Sequence, residues 1–248
     1  MMRFKLIVEY DGGRSRAGSV RKSGPTVQGA LEKAVFAFTG ETVDVVGAGR
    51  TESGVHANGQ VAHFDIAKLF APGRVRDALN AHLRPAPISV ISVEEATPEF
   101  HARFDAIGRV YWYRILNRRS PPALERGHVW HVMRDLDRDA MAQAAEHLIG
   151  KHDFTTFRDA NCQAKSPVKT LDSLEVMRAG EEIHVWAKAR SFLHRQVRSM
   201  VGDASRSWDG KRAPDDVAAA LAARDRARCG PVAPADGLYL ERVNYPLS

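Results

Sequence analysis

The 248-residue sequence contains little cysteine and no long apolar run. Its two cysteines, Cys162 and Cys229, do not belong to a C-x-x-C pair, which argues against a disulfide framework and against a cysteine-rich zinc site. No apolar stretch approaches the length needed to span a bilayer, and the chain enters a β-like segment at Phe4 without the apolar core of a signal peptide. We therefore expect a globular, cytoplasmic protein.

Two common nucleotide-binding patterns are also missing. Gly47-x-Gly49 begins like a dinucleotide-binding loop, but the third glycine of G-x-G-x-x-G would fall at Glu52, and a β-like segment follows where that fold has a helix. The Gly-Lys-Ser/Thr sequence of a P-loop does not occur. These two modes of nucleotide binding are therefore excluded.

Basic residues are in excess, with 36 lysines and arginines against 30 acidic residues and a formal net charge of +6. This balance favours a polyanionic partner such as nucleic acid, although a moderate excess of arginine is also common in enzymes of other classes. A hydrophobic fraction of 44% is ample for a packed core in one large domain or two smaller ones.

The segment from Gly47 to Gln60 is the richest in chemically active side chains. It holds four glycines with Arg50, Glu52 and His56, and it is predicted to be a loop between two strands. We interpret it as the active site, and the alternative is a tight turn with a surface ion pair. His56, Asn58, Gln60 and His63 are expected to converge here, but no third ligand at a recognised spacing joins the two histidines, so no metal is expected.

The first half of the sequence predicts the order strand, helix, strand, strand, helix, strand of a split β-α-β unit. The basic segment from Arg14 to Gly24 is expected to be an exposed, mobile loop that touches phosphates. The first helix is expected to begin after a cap at Thr26 and to end at Gly40. The other predicted elements are strands at Phe4–Tyr10, Thr42–Ala48, Gln60–Ile66 and Ile88–Val93 and a helix at Asp77–Leu83.

The second half predicts a similar order. The predicted strands are Arg109–Leu116, a hairpin of Thr170–Met177 and Glu182–Ala189 around Gly180, and Leu238–Val243, and the predicted helices are Asp137–Ile149, Phe192 to about Trp208, and Val217–Ala223. We therefore expect an α+β protein with an N-terminal half at 1–105 and a C-terminal half at 106–248.

Two positions in the second half are candidates for substrate contacts. Strand alternation places Tyr111 and Tyr113 on one face, where they would either stack on a base or fill the core. In the segment from Phe192, an apolar stripe of Leu193, Val197, Met200, Val201 and Ala204 leaves His194, Arg195 and Arg198 elsewhere. Arg198 is a candidate partner for a buried carboxylate, and Glu52 is the partner to test.

These residues carry a resemblance to the tRNA pseudouridine synthase A family. Gly49-Arg-Thr-Glu-Ser-Gly-Val-His-Ala-x-Gly-Gln-Val-Ala-His-Phe64 resembles the signature loop of that family. The likeness extends along the chain through the segments Glu9-Tyr-Asp-Gly12, Val27-Gln28, Leu79-Asn-Ala81, Phe100-His-Ala-Arg-Phe104, Tyr111-x-Tyr113, His152-Asp-Phe-Thr-Thr-Phe157, Phe192-Leu-His-x-Gln-Val-Arg198 and Asp236-Gly-Leu-Tyr-Leu240.

The resemblance implies two fused ferredoxin-like halves that form a continuous antiparallel sheet with a central basic cleft. It implies a homodimer that acts without cofactor or metal on uridines of the tRNA anticodon stem-loop, at positions 38–40 of the tRNA. It places the catalytic carboxylate at Glu52 and the stacking tyrosine at Tyr111. Arg50, Arg198 and His56 are the other substrate-binding residues, with Arg198 also pairing with the carboxylate.

Three segments depart from the family pattern. Glu52 stands where the family has aspartate, and the extra methylene displaces the carboxylate by roughly 1 to 1.5 Å, which predicts a slower or inactive enzyme. Gly18-Ser-Val20 replaces the usual Gly-Trp-Gln, and Arg195 replaces a common second histidine. The alternatives to a synthase are a non-catalytic tRNA-binding or folding homologue and a general single-strand RNA binder.

Overall fold

The structure is a computed structural model that describes residues 1–13, 26–205 and 213–246. The predicted loop from Arg14 to Gly24, with the departure at 18–20, lies outside these residues. The chain folds into two compact units, one from residues 1–107 with 239–246 and the other from 108–238. The predicted halves 1–105 and 106–248 remain a prediction about how the chain folds. No helix among the described residues is long and apolar enough to cross a membrane.

The first unit has the strand order of a split β-α-β fold. Its sheet runs β4-β1-β3-β2, with every one of these neighbours antiparallel, and the end of β10 pairs in parallel with the start of β3. The elements are β1 (Met2–Tyr10), α1 (Val27–Thr39), β2 (Val46–Gly47), β3 (His56–Ile66), α2 (Pro72–Leu83), β4 (Ile88–Ala96) and β10 (Leu238–Asn244). The predicted α+β class and the split order of this half are confirmed.

The second unit repeats part of that pattern. Its strand order is β5-β9-β8-β7 with antiparallel neighbours, and β6 is parallel to β5. The elements are β5 (Gly108–Asn117), β6 (Trp130–Val132), α3 (Arg138–Glu146), β7 (Gly150–Asp153), β8 (Val168–Ala179), β9 (Glu182–Ala189), α4 (Gln196–Ala204) and α5 (Asp215–Ala223). The short strands β6 and β7 were not predicted.

Capping residues and glycines in the sequence predicted several element boundaries correctly. The Thr26 hydroxyl accepts a hydrogen bond of 3.0 Å from the Gly29 backbone at the start of α1, and Gly40 ends that helix with φ of 76°. Gly180, with φ of 60°, closes the predicted hairpin between β8 and β9. Side-chain caps and glycines act within a few residues, so they can be read from sequence.

Other boundaries were wrong. The strand predicted at Thr42–Ala48 is shorter in the structure, where only the two residues of β2 pair with β3. Just before β2, the Val45 backbone N–H donates to Glu32 Oε1 at 3.3 Å and not to a neighbouring strand. The helix α2 begins five residues earlier than predicted, at Pro72, since proline is well suited to the first helical turn. The helix α3 ends at Glu146, because the last two residues before Gly150 form tight turns instead.

The helix predicted from Phe192 begins four residues later, as α4. Arg195 adopts a left-handed backbone with φ of 62°, which a continuous α-helix does not allow, and Gln196 Oε1 accepts a hydrogen bond from the Leu193 backbone N–H. The predicted end near Trp208 lies outside the described residues. The five residues of the predicted apolar stripe are all buried, although Leu193 precedes α4 and the polar Gln196, Ser199 and Asp203 of that helix are buried too.

Candidate active site

The loop between β2 and β3 carries Glu52, and its first part is fixed by buried groups of the first unit. Ala48 donates a backbone hydrogen bond of 2.8 Å to the Val61 carbonyl and is 1% exposed. Gln60 Nε2 donates to the Gly49 carbonyl at 2.9 Å. These contacts set the position of the backbone just before Arg50 and Glu52.

A buried tyrosine holds the next residue of the loop. Tyr10 is 6% exposed, and its phenolic oxygen lies 2.8 Å from the Thr51 hydroxyl and 3.4 Å from Gln60 Nε2. Burial raises the pKa of the Tyr10 phenol, and the hydrogen bonds to Thr51 and Gln60 act against that rise. The phenol therefore remains a neutral hydrogen-bonding group beside Thr51.

The second part of the loop is fixed by the end of β1. Gly54, with φ of 90°, donates to the Gly12 carbonyl at 3.1 Å, and the Val55 N–H donates to the Glu52 carbonyl at 3.1 Å. A Cβ on Gly12 would overlap the Val55 carbonyl, so only glycine permits this approach of the two backbones. The chain on both sides of Glu52 is thus held by the fold.

His56 lies in β3 and not in the loop, which corrects the predicted start of that strand at Gln60. It is 2% exposed, and its Nδ1 lies 3.1 Å from both the Gly12 backbone nitrogen and Asp11 Oδ1. Its ring stacks on Tyr239 with centroids 4.7 Å apart. Within the first unit, His56 therefore holds the segment at Gly12, whose carbonyl accepts the hydrogen bond from the Gly54 N–H.

The polar residues expected to converge have separate partners along β3. Gln60 is buried and donates to the Gly49 carbonyl, whereas Asn58 is exposed and bonds Glu241. His63 is buried too, and its Nδ1 accepts from the Ala102 N–H at 3.2 Å, whereas His56 contacts the Gly12 segment. The two histidines expected to lie together therefore contact different segments of the first unit.

Glu52 is half-buried, whereas Arg50 is exposed. The carboxylate is thus partly shielded while the neighbouring guanidinium faces solvent. An exposed arginine beside a partly shielded carboxylate can bind a phosphate without covering that carboxylate.

Tyr111 and Arg198, the other two predicted site residues, belong to the second unit. Tyr111 is half-buried on β5, with its ring edge-on to Phe192 at 5.2 Å. Arg198 Nε donates to the Ala233 carbonyl at 2.7 Å, and its own carbonyl accepts from the Ala233 N–H at 3.1 Å. The guanidinium is therefore oriented by the segment that follows α5, and the predicted pairing with Glu52 remains a prediction.

Tyr113 resolves the two interpretations of the aromatic strand. It is fully buried, and its hydroxyl donates to the Pro234 carbonyl at 2.8 Å. Burial raises the pKa of this phenol well above its usual value, with the charge of Arg198 acting against the rise and that of Asp236 adding to it. Tyr113 is thus a core residue, while Tyr111 on the same face retains an accessible surface.

Arg195, which stands before α4 where the family commonly has a second histidine, also has a partner in the structure. Arg195 Nη1 lies 2.9 Å from Asp159 Oδ2, and His194 Nδ1 lies 3.5 Å from the other oxygen of that carboxylate. Asp159 is 7% exposed. Arg195 therefore pairs with a largely buried acid of its own unit.

Comparison with known proteins places these features in a family. The family model for tRNA pseudouridine synthase matches residues 7–105 and 144–246. The chain belongs to the tRNA pseudouridine synthase family. It is 60% identical over 245 residues to the tRNA pseudouridine synthase A of Rhodopseudomonas palustris strain BisB18, covering 99% of this chain and all of that protein.

Two further relatives are similar to this chain along almost its whole length. The tRNA pseudouridine synthase A of Bradyrhizobium diazoefficiens is 59% identical, covering 99% of this chain and all of the relative, and that of Caulobacter vibrioides strain NA1000 is 58% identical, covering 99% of each. The family resemblance that the motifs indicated is confirmed.

Sequence reasoning did not assign a role to Tyr10. Its position in the motif Glu9-Tyr-Asp-Gly12 was a signal, but that motif lies 41 residues before Thr51. Gln60 was expected near the site as an inward-facing polar residue of a strand, although its bond to the Gly49 carbonyl was not foreseen. Only the fold brings these two side chains to the loop.

Proposed function

We propose that this chain isomerises uridine to pseudouridine in tRNA, with Glu52 as the reactive carboxylate. The observation that carries the proposal is the position of Glu52 in a loop whose backbone is held on both sides, by Tyr10 and Gln60 before it and by Gly12 after it. A loop held in this way places its side chain reproducibly against a bound nucleotide. Membership of the family and the net charge of +6 support tRNA as the substrate.

The reaction suits a single carboxylate. It breaks the bond between uracil N1 and ribose C1′, turns the detached base, and joins C5 to C1′. N1 gains a proton and C5 loses one, so the isomerisation involves no oxidation or reduction. The Glu52 carboxylate can act as the nucleophile at C1′ or as the base that removes the C5 proton.

The other site residues have separate roles. Arg50 is exposed and lies two residues before Glu52, so its guanidinium can bind a phosphate of the RNA near the reacting nucleotide. Tyr111 stacks on the extruded uracil with the ring surface that Phe192 leaves accessible. Buried His56 acts on the substrate indirectly, by holding the Gly12 segment against the loop.

The finer points rest on the family resemblance. The modified uridines lie in the anticodon stem-loop, and the protein works as a cytoplasmic homodimer, with the catalytic loop in its N-terminal half. Light scattering of the purified protein checks the dimer. A transcript of the anticodon stem-loop, compared with a full tRNA transcript, checks the region that is modified.

The test of the activity uses a tRNA transcript that carries tritium at C5 of its uridines. Because C5 loses its hydrogen when it bonds to C1′, turnover releases tritium to water. We expect release by the unaltered protein and none by Glu52→Gln, which keeps the shape but not the charge. The matched control Glu95→Gln changes an exposed glutamate of β4 in the same unit and should retain the rate. Absence of release at stoichiometric protein, or equal release by Glu52→Gln, would contradict the proposal.

A further inference from the structure

The turn at residues 101–105 follows β4 and presents an exposed aromatic ring. Phe104 is 71% exposed. Its ring centroid lies 4.2 Å from that of His101, and the guanidinium carbon of Arg103 lies 6.0 Å from the Phe104 centroid. An accessible ring beside a guanidinium group is the combination with which proteins bind an unpaired base and its phosphate.

Four hydrogen bonds within this turn hold its backbone without any ligand. His101 Nδ1 accepts hydrogen bonds from the backbone N–H groups of Arg103, at 3.2 Å, and of Phe104, at 3.3 Å. Asp105 Oδ2 accepts from the His101 N–H at 2.7 Å, and the Asp105 N–H donates to the His101 carbonyl at 3.1 Å. Because the backbone that carries the ring is already ordered, less entropy is lost when a ligand binds it.

The turn is also packed against the loop that carries Glu52. Ala102 is fully buried in one cluster with Ala48 and Val61, and Ala48 is the first residue of that loop. The Ala102 carbonyl accepts a hydrogen bond of 2.6 Å from the Tyr245 hydroxyl. One residue, Arg103, separates this buried alanine from Phe104 along the chain.

We infer that Phe104 is a stacking platform for an unpaired nucleotide of the tRNA substrate, and that Arg103 binds the phosphate of that nucleotide. The inference rests on the proposed function for the class of ligand and extends it to a second contact, separate from the target uridine. The positive charge of Arg103 matches an RNA backbone, and the flat ring of Phe104 accepts any base. Phe104 thus contributes to substrate affinity and not to the chemical step.

The experiment compares two exposed phenylalanines of the same unit. Phe104→Leu keeps an apolar side chain but removes the aromatic face, and Phe36→Leu makes the same change on α1, where Phe36 is 55% exposed. A tRNA transcript is titrated against each purified variant at one fixed salt concentration. We expect Phe104→Leu to bind about fivefold to a hundredfold more weakly and Phe36→Leu to bind as the unaltered protein does.

A second pair of variants distinguishes stacking from a structural role. Phe104→Trp should restore binding, and the additional indole emission should be quenched when tRNA is added, because a stacked base lies against it. The matched Phe36→Trp variant should show no quenching. Weak binding of Phe104→Leu that Phe104→Trp does not restore would overturn the inference.

Two other outcomes would also overturn it. Binding by Phe104→Leu within twofold of the unaltered protein means that the ring does not contact RNA. A changed oligomeric state with unchanged tRNA binding means that the ring belongs to a protein interface. Binding and tritium release are measured separately, so a protein that binds tRNA through Phe104 without releasing tritium contradicts the proposed reaction and leaves this inference standing.

Discussion

The phenolic oxygen of Tyr10 lies 2.8 Å from the hydroxyl oxygen of Thr51, the residue next to Glu52. The two residues are 41 positions apart in the chain, and the buried end of β1 brings them together. Gln60 completes the contact from β3. The position of the candidate catalytic carboxylate therefore depends on a side chain that lies far from it in the sequence.

Replacing Tyr10 with phenylalanine removes this contact without leaving a cavity. We expect Tyr10→Phe to lower kcat by about tenfold to a hundredfold, because a displacement near 1 Å at a reacting group costs about that much. Unfolding should become easier by only about 0.5–1.5 kcal/mol. Thr51→Val should have a similar effect, and the double variant should be little worse than either, as measured by tritium release and urea denaturation.

A matched control for the loss of a buried hydroxyl is Thr39→Val. Thr39 donates to the Val35 carbonyl at 2.8 Å within α1 and is 4% exposed. This variant should lose a similar amount of stability while retaining the rate of pseudouridine formation. If it loses activity to the same extent as Tyr10→Phe, the effect belongs to general stability and not to the loop.

The tight approach of Gly12 to the Glu52 loop predicts the effect of an added methyl group. In Gly12→Ala the new Cβ would overlap the Val55 carbonyl, which belongs to the backbone and cannot rotate away. We expect a loss of at least about 2 kcal/mol in the free energy of unfolding, together with loss of activity. Gly73→Ala, in open space on α2, should be neutral or slightly stabilising in the same denaturation experiment.

The length of the candidate catalytic side chain can be tested by Glu52→Asp. By resemblance the family has aspartate at this position, so the shorter side chain should bring the carboxylate to the distance for which the rest of the site is built. We expect the rate of tritium release to rise by about tenfold to a hundredfold, with tRNA affinity unchanged. A fall in rate would show that this site is adapted to glutamate.

The buried phenol of Tyr113 predicts a stability change at high pH. Burial raises its pKa in the folded state well above the usual value near 10. Above about pH 10 the phenol ionises only in the unfolded chain, so the stability contributed by Tyr113 is complete below that pH and decreases above it, by at most about 1.4 kcal/mol per pH unit. Denaturation from pH 8 to 11 should show this decrease relative to Tyr113→Phe. Parallel curves over the whole range would contradict it.

Local chemistry explains which elements could be predicted. The cap at Thr26, the left-handed Gly40 and the turn at Gly180 each act within a few residues, so α1 and the β8–β9 hairpin follow from the sequence. Apolar periodicity likewise predicts the buried stripe of α4. The start of that helix was not predictable in this way, because the left-handed backbone at Arg195 has no local signature for a residue other than glycine.

The sequence by itself determined the family and the segment that carries Glu52, because both depend on residue types at fixed spacing. Only the tertiary structure decided that His56 is buried in β3, that Gly12 leaves no room for a side chain, and that Tyr10 contacts the loop. These relationships join residues about forty positions apart, and hydrophobic patterning does not specify which distant side chains meet. The antiparallel pairing of β1 with β3 brings these residues together, and that pairing positions the candidate active site.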